Sequence, residues 1–321
     1  LGSRLNGSCV PRRLRLETAG ALYHVLNHGN YRRDVFAAAG AASAFERTLG
    51  EACTRHGWRV HAYVVMRNHY HLALETPRPN LVAGMHWLQS TFATRFHRYR
   101  REHGHLFQGR YRAQLVEDAA SFVRVINYIH LNPVRARLVP ATQAARYTWG
   151  SLLWLIRRPR PQWLKVDVLL PHLGEGDNAP GWARYVADLA VLARDPGEQV
   201  RQGFANLSRG WAIGSMGWKQ AIARENSHRR LETTLGREER EQLQDLEWRH
   251  ALHEALRASG RNASELALAP AAAPWKIAVA AQLREQVAPP YAWLARALCL
   301  GLPATLRSRV WRHREAQRAT A

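Results

Sequence analysis

The sequence predicts an α+β fold: a ferredoxin-like antiparallel sheet with helices on one face, followed by a helical C-terminal extension. Two observations predict it. From about residue 21 to residue 136 the apolar period switches between two and 3.6, in the order strand, helix, strand, strand, helix, strand, helix. The two middle strands are joined only by Met66-Arg67-Asn68, a connection short enough to make them an antiparallel hairpin. A four-stranded antiparallel sheet with helices packed on one face satisfies that order.

The elements follow in turn. Residues 1–16 are basic and irregular, and residues 21–27 read as the first strand. His28-Gly29-Asn30 is a turn signal, with Tyr31-Arg32-Arg33 as a basic aromatic loop. Phe45, Leu49 and Ala52 give residues 41–56 a helical stripe that Gly57 ends. Residues 58–65 and 69–75 form the hairpin, and Pro77 and Pro79 break the chain after it. Met85, Leu88, Phe92 and Phe96 mark a second helix over 81–101, and residues 107–116 contain a fourth strand. Asp118 starts a third helix carrying Phe122, Val125, Ile126 and Ile129.

Beyond Pro140 the character changes to a Pro- and Trp-punctuated stretch, then a charged, solvated helix over 231–259. An Ala/Pro linker at 267–274 precedes three short helices, 275–286, 291–298 and 304–313. The expected domains are therefore 1–150, an extension over 151–266, and a trihelical unit over 267–321.

Lys and Arg number 46 against 25 Asp and Glu, a formal charge of +21. Arginine dominates that excess, and its guanidinium forks onto phosphates and stacks on bases, so nucleic acid is the expected partner. A genome rich in arginine codons explains Arg over Lys, but not the net charge. Three scattered cysteines, Cys9, Cys53 and Cys299, argue against a disulfide framework and against a Cys-x-x-Cys zinc site. No apolar span is long enough for a membrane helix, and no signal-peptide core follows the basic N-terminus. A cytoplasmic, nucleoid-associated location is expected; the first residue is Leu1 rather than Met, which leaves the true start open.

The chemistry gathers on two segments. On a strand, His69 and His71 project side by side from one face while Tyr70 and Leu72 point to the other. On the third helix, Tyr128 and Asn132 are one turn apart. His69, His71 and the Asn132 carbonyl would hold a hard divalent ion, with Tyr128 beside a bound phosphate. That set suits transesterification at a DNA backbone, with Tyr128 as nucleophile. Taken singly, each residue has a plainer reading: surface histidines, a half-buried structural tyrosine, a helix-stop Asn before Pro133.

Together these motifs resemble those of the REP-associated tyrosine transposases, a single-tyrosine branch of the HUH (His-hydrophobe-His) family. His69-Tyr70-His71 is similar to the HUH motif, and Tyr128-Ile129-His130-Leu131-Asn132-Pro133-Val134-Arg135-Ala136 to the tyrosine signature. Gly20-Ala21-Leu22-Tyr23-His24-Val25, Gly104-His105-Leu106-Phe107 and Tyr147-Thr148-Trp149 fall in the family's order, so the resemblance covers about residues 16–165. It implies His69, His71 and Asn132 as metal ligands, Tyr128 as nucleophile, and Mg²⁺ or Mn²⁺ as the ion. It also implies cleavage and rejoining of single-stranded DNA next to a short hairpin. Two positions depart from the pattern: Arg67 replaces a usual proline, and His28 a usual arginine. The alternative is a domesticated DNA-binding protein on the same scaffold that no longer cuts.

Expected DNA contacts are Arg32, Arg33, Arg95, Arg98, Arg100, Arg101, Arg110 and Arg112, interleaved with aromatic residues such as Tyr99. Arg12, Arg13 and Arg15 could add to them. The last three helices resemble a helix-turn-helix, with Arg307, Arg309, Arg312 and Arg314 on the recognition helix, which would add duplex DNA as a partner. The sequence leaves room for a homodimer that supplies Tyr128 in trans.

Overall fold

The computed structural model describes residues 16–174, 176–225 and 237–320. Arg12, Arg13 and Arg15 lie outside them. The chain forms two compact units, one running to Lys219 and the other starting at Gln220.

The first unit is built on β1 (Ala21–His28), α1 (Ala41–His56), β2 (Arg59–Val65), β3 (His69–Thr76), α2 (Leu81–Arg100), β4 (Arg112–Val116) and α3 (Ala119–Arg135). Strand order is β2-β3-β1-β4, antiparallel throughout, which is the ferredoxin-like arrangement. The sheet also has a fifth strand that the sequence did not suggest. β5 (Ala212–Ile213) pairs parallel with β4 and makes the sheet mixed. Two residues are too few to show an alternating pattern.

Helices α1 and α2 cover one face of the sheet. There Phe45 packs on Tyr70 with ring centroids 4.6 Å apart, and Phe36, Phe92 and Phe107 complete an aromatic core. The Tyr70 hydroxyl accepts from Gln89 of α2 at 2.9 Å. Helix α3 packs on the opposite face, so the helices do not all lie on one face as expected; His71, which alternates with Tyr70 along β3, points to that second face and meets Tyr128 there. Phe122, Val125, Ile126 and Ile129 of α3 are fully buried, and Asp118 caps the helix by accepting from the Ser121 amide at 2.7 Å.

A buried polar chain fastens α3 to its surroundings. Tyr185 donates its hydroxyl proton to Asn127 at 2.8 Å, so its oxygen accepts from His130 Nδ1 at 2.9 Å. His130 Nε2 then accepts from the Ser151 hydroxyl at 3.0 Å, and Ser151 accepts from the Tyr63 amide at 2.9 Å. Every member is satisfied with His130 neutral. Burial holds His130 down to about 3.

Residues beyond 150 do not stand apart. Leu152, Leu155, Leu164, Trp182, Tyr185, Phe204, Leu207 and Ile213 share the core of the sheet. They come from α4 (Ser151–Ile156), α5 (Ala179–Arg194), β5 and the loops around them; α6 (Pro196–Arg201), which follows α5, adds no buried residue. The sequence boundary at 150 therefore falls inside a continuous core.

After α7 (Met216–Glu225), the second unit holds α8 (Arg237–Ala258), α9 (Glu265–Leu268), α10 (Pro274–Gln286), α11 (Tyr291–Ala297) and α12 (Pro303–Thr320). Its core joins Ile277, Leu283, Trp293, Leu294, Leu298 and Leu306 with Leu252, Ala255 and Leu256 of α8. So α8 is not the wholly solvated helix its charge suggested; one stripe of it is core. Residues 231–236, where that helix was expected to begin, lie outside the described residues. The expected linker is also tied in, because buried Lys276 donates to Leu266 and Ala269 carbonyls at 2.8 and 2.9 Å. Among the described residues no helix is long and apolar enough to cross a membrane.

Candidate active site

The antiparallel register sets Leu26 opposite His71 and His28 opposite His69. Facing residues share a side of the sheet, so His24, His28, His69 and His71 all project toward α3. The His69 and His71 rings lie 5.1 Å apart, nearly perpendicular. Tyr128 places its ring edge-on to both His71 and His24, at 5.6 and 5.8 Å. The helix thus brings the tyrosine to the histidine pair. Asn132, one turn further on, is buried and donates its amide to the Tyr128 carbonyl at 2.9 Å.

Each histidine of the pair has its inner nitrogen engaged. His69 Nδ1 is 2.7 Å from the Asn68 side-chain oxygen. The Asn68 amide in turn donates to the Arg32 carbonyl at 3.2 Å, which fixes which end of the amide faces His69. An oxygen only accepts here, so His69 carries its proton on Nδ1 and presents a bare Nε2. His71 Nδ1 is 2.9 Å from His24 Nε2. Burial, with the nearby His28 and Arg32 charges adding to it, holds His69 down to about 4. Burial first, then its histidine neighbours, holds His71 well below the usual imidazole range. Both are neutral at neutral pH, the state a metal ligand needs.

Three neighbours to which the sequence attached no role complete the surroundings. Arg135, seven residues after Tyr128 and so on the same helix face, sets its guanidinium 4.8 Å from the Tyr128 ring centre. Phe204 packs edge-on to Tyr128 at 5.5 Å, leaving the tyrosine 6 % exposed. His24 belongs to a motif quoted above, yet no role attached to it there.

Both departures from the family pattern find partners. Arg67 pairs with Asp34 at 2.6 Å, tying the hairpin turn to the loop after β1. His28 stacks on His69 at 4.9 Å.

The expected DNA-binding arginines divide into two groups. Arg95 makes two bonds to Glu51, both 2.8 Å, and Arg33 and Arg100 share Glu102. Arg112 donates to the Ser208 carbonyl at 2.8 Å. These four are occupied within the fold. Arg32, Arg98 and Arg101 are exposed and have no carboxylate partner among the described residues. Arg110 is exposed as well. Tyr99 is exposed, whereas Phe96, Phe107 and Tyr111 are core. In the second unit, Arg307 and Arg312 are exposed on α12 and Arg309 is half-buried. Arg314 is engaged instead, with the Ala281 carbonyl at 2.9 Å and Glu285 at 3.3 Å.

Residues 18–132 match the family model described as "Transposase IS200 like". A solved structure titled "Structure of the REP associates tyrosine transposase bound to a REP hairpin" is similar to 46 % of this chain and 85 % of its own, at 15 % identity and a TM-score of 0.38. No curated protein matches the chain. The span that matches the family model holds all four strands of the antiparallel sheet, both histidines of the pair, Tyr128 and Asn132. Residues 18–132, about a third of the chain, are thus similar to the IS200-like transposases.

Proposed function

We propose that this chain is a metal-dependent single-tyrosine transesterase of the REP-associated kind, cleaving and rejoining single-stranded DNA beside a short hairpin. The observation that carries the reading is Tyr128, delivered by α3 against the face that bears His69 and His71.

The residues fit a divalent ion. Two neutral imidazoles share one face, and the Nδ1 of each is already engaged, which leaves Nε2 for a ligand bond. Among the described residues no three His, Cys, Asp or Glu side chains gather into a metal cage. In this reading His69, His71 and the Asn132 carbonyl would hold Mg²⁺ or Mn²⁺ together with phosphate oxygens. The chemistry such an ion supplies is Lewis-acid polarisation of the scissile phosphate.

The chain's own residues do the rest. The Tyr128 oxygen attacks phosphorus and gives up its proton. A tyrosine–phosphorus ester forms as the bond to one sugar oxygen breaks, and that oxygen takes up a proton. The ester keeps the energy of the broken bond, so a second strand end can reverse the step without a nucleotide cofactor. Arg135 puts positive charge beside the tyrosine, where the phosphate brings negative charge. Exposed Arg32, Arg98, Arg101 and Arg110, with Tyr99, would track the unpaired strand. In the second unit α12, helix-turn-helix-like with α10 and α11, would meet duplex DNA through Arg307, Arg309 and Arg312.

The test is a covalent adduct. Labelled single-stranded hairpin DNA and Mn²⁺ should give a protein–DNA band on a denaturing gel, absent with chelator and with Tyr128→Phe. An adduct that survives Tyr128→Phe would refute the nucleophile assignment. Binding without any adduct would favour the non-cleaving alternative.

A further inference from the structure

We propose that His24 is a positioning residue for the metal site, and that the strap over residues 203–213 sets it through the Leu207 carbonyl. The inference rests on the metal reading above and adds the element that makes His71 competent to ligate.

His24 is fully buried in the middle of β1. Its Nδ1 lies 2.6 Å from the Leu207 carbonyl oxygen. A carbonyl has no proton to give, so His24 must carry its own on Nδ1. A neutral ring then has a bare Nε2, which accepts from His71 Nδ1 at 2.9 Å. With its proton on Nδ1, His71 turns a lone pair outward on Nε2. Without the carbonyl, His24 is free to protonate Nε2 instead and donate to His71. That would push the His71 proton onto Nε2 and block the ligand position. The outcome at His71 is thus decided two bonds away, by a backbone atom.

The strap is held where this requires it. Arg112 and Gln114 of β4 donate to the carbonyls of Ser208 and Arg209. The Leu115 amide donates to Trp211 at 3.0 Å, and β5 closes the strap onto the sheet edge. Leu207 itself is buried, and Phe204 of the same strap lies against Tyr128. One segment therefore touches both the outer shell of His71 and the nucleophile. His69 needs no such help, because its orienting partner is the adjacent Asn68.

Mn²⁺ binding to the full chain, followed by the electron paramagnetic resonance of free Mn²⁺, tests this without DNA or turnover. His24→Leu should weaken Mn²⁺ binding roughly 10–100-fold, the usual effect of losing a ligand's hydrogen-bond partner. His24→Gln should restore most of it, since one amide can donate to Leu207 and accept from His71. Parent-like affinity in His24→Leu, with binding abolished by His69→Ala, would overturn the inference and leave the metal reading standing. A parent chain that binds no Mn²⁺ would overturn both. Nitrogen–proton correlation spectra of the metal-free parent are independent of any variant's folding. They should show the His71 proton on Nδ1; a proton on Nε2 would overturn the inference.

Discussion

The division of the arginines predicts which of them DNA binding will register. Arg95 is bidentate to Glu51, so reaching a phosphate means exchanging one carboxylate for another anion. Arg32, Arg98 and Arg101 have no such partner to give up among the described residues. Each phosphate neutralised on an unpaired strand contributes about 0.7 to the slope of log affinity against log salt. Removing Arg32, Arg98 and Arg101 together should therefore lower the slope by about 2. Between about 50 and 200 mM salt, the parent should lose roughly 20-fold more affinity than the triple-alanine variant. Arg95→Ala should leave the slope unchanged. The assay is fluorescence anisotropy of a labelled single-stranded hairpin, in a Tyr128→Phe background so that nothing is cleaved. A slope lowered by Arg95→Ala, or unmoved in the triple variant, would refute the division.

Two further outcomes test the scaffold. Because burial holds His130 at about 3 in the folded chain and the free side chain titrates near 6.5, the unfolded chain binds more protons between those values. Stability should be flat above about pH 6.5 and fall as pH drops toward 3, by up to about 1.4 kcal/mol per pH unit from this residue. Urea midpoints measured down the pH scale should lose that share of the slope in His130→Gln, and an unchanged slope would count against the buried neutral network. At Gly84, an added Cβ would stand 2.0 Å from Trp58 Cζ2, and the indole is pinned by its bond to Asn80. Gly84→Ala should cost about 1–3 kcal/mol of overpacking, read as a fall of several degrees by calorimetry; an unaltered midpoint would mean that α2 shifts freely.

What the sequence disclosed, and what it hid, follows from where each cause lies along the chain. Helix 41–56 was legible to the residue because its limits are local: Gly40 and Gly57 adopt φ of 75° and 69°. The hairpin was legible because its turn is three residues. The pairing of His71 with Tyr128 was half legible, since periodicity put each on a face but only docking of α3 could bring the faces together. Arg95 looked like Arg98 because Glu51 sits on another helix. The stripe of Leu252, Ala255 and Leu256 was masked by the charges around it in α8.

The strap is the extreme case. Leu207 acts through a carbonyl that every residue possesses, so no side-chain pattern could announce it. His24 had no role attached to it in the sequence because its carbonyl partner lies 183 residues along the chain. A chain ending at residue 150 would keep His69, His71, Tyr128 and Asn132, and lose both Leu207 and Phe204. Possession of the four motif residues would thus not by itself complete the proposed site, because the segment that orients His71 lies beyond them.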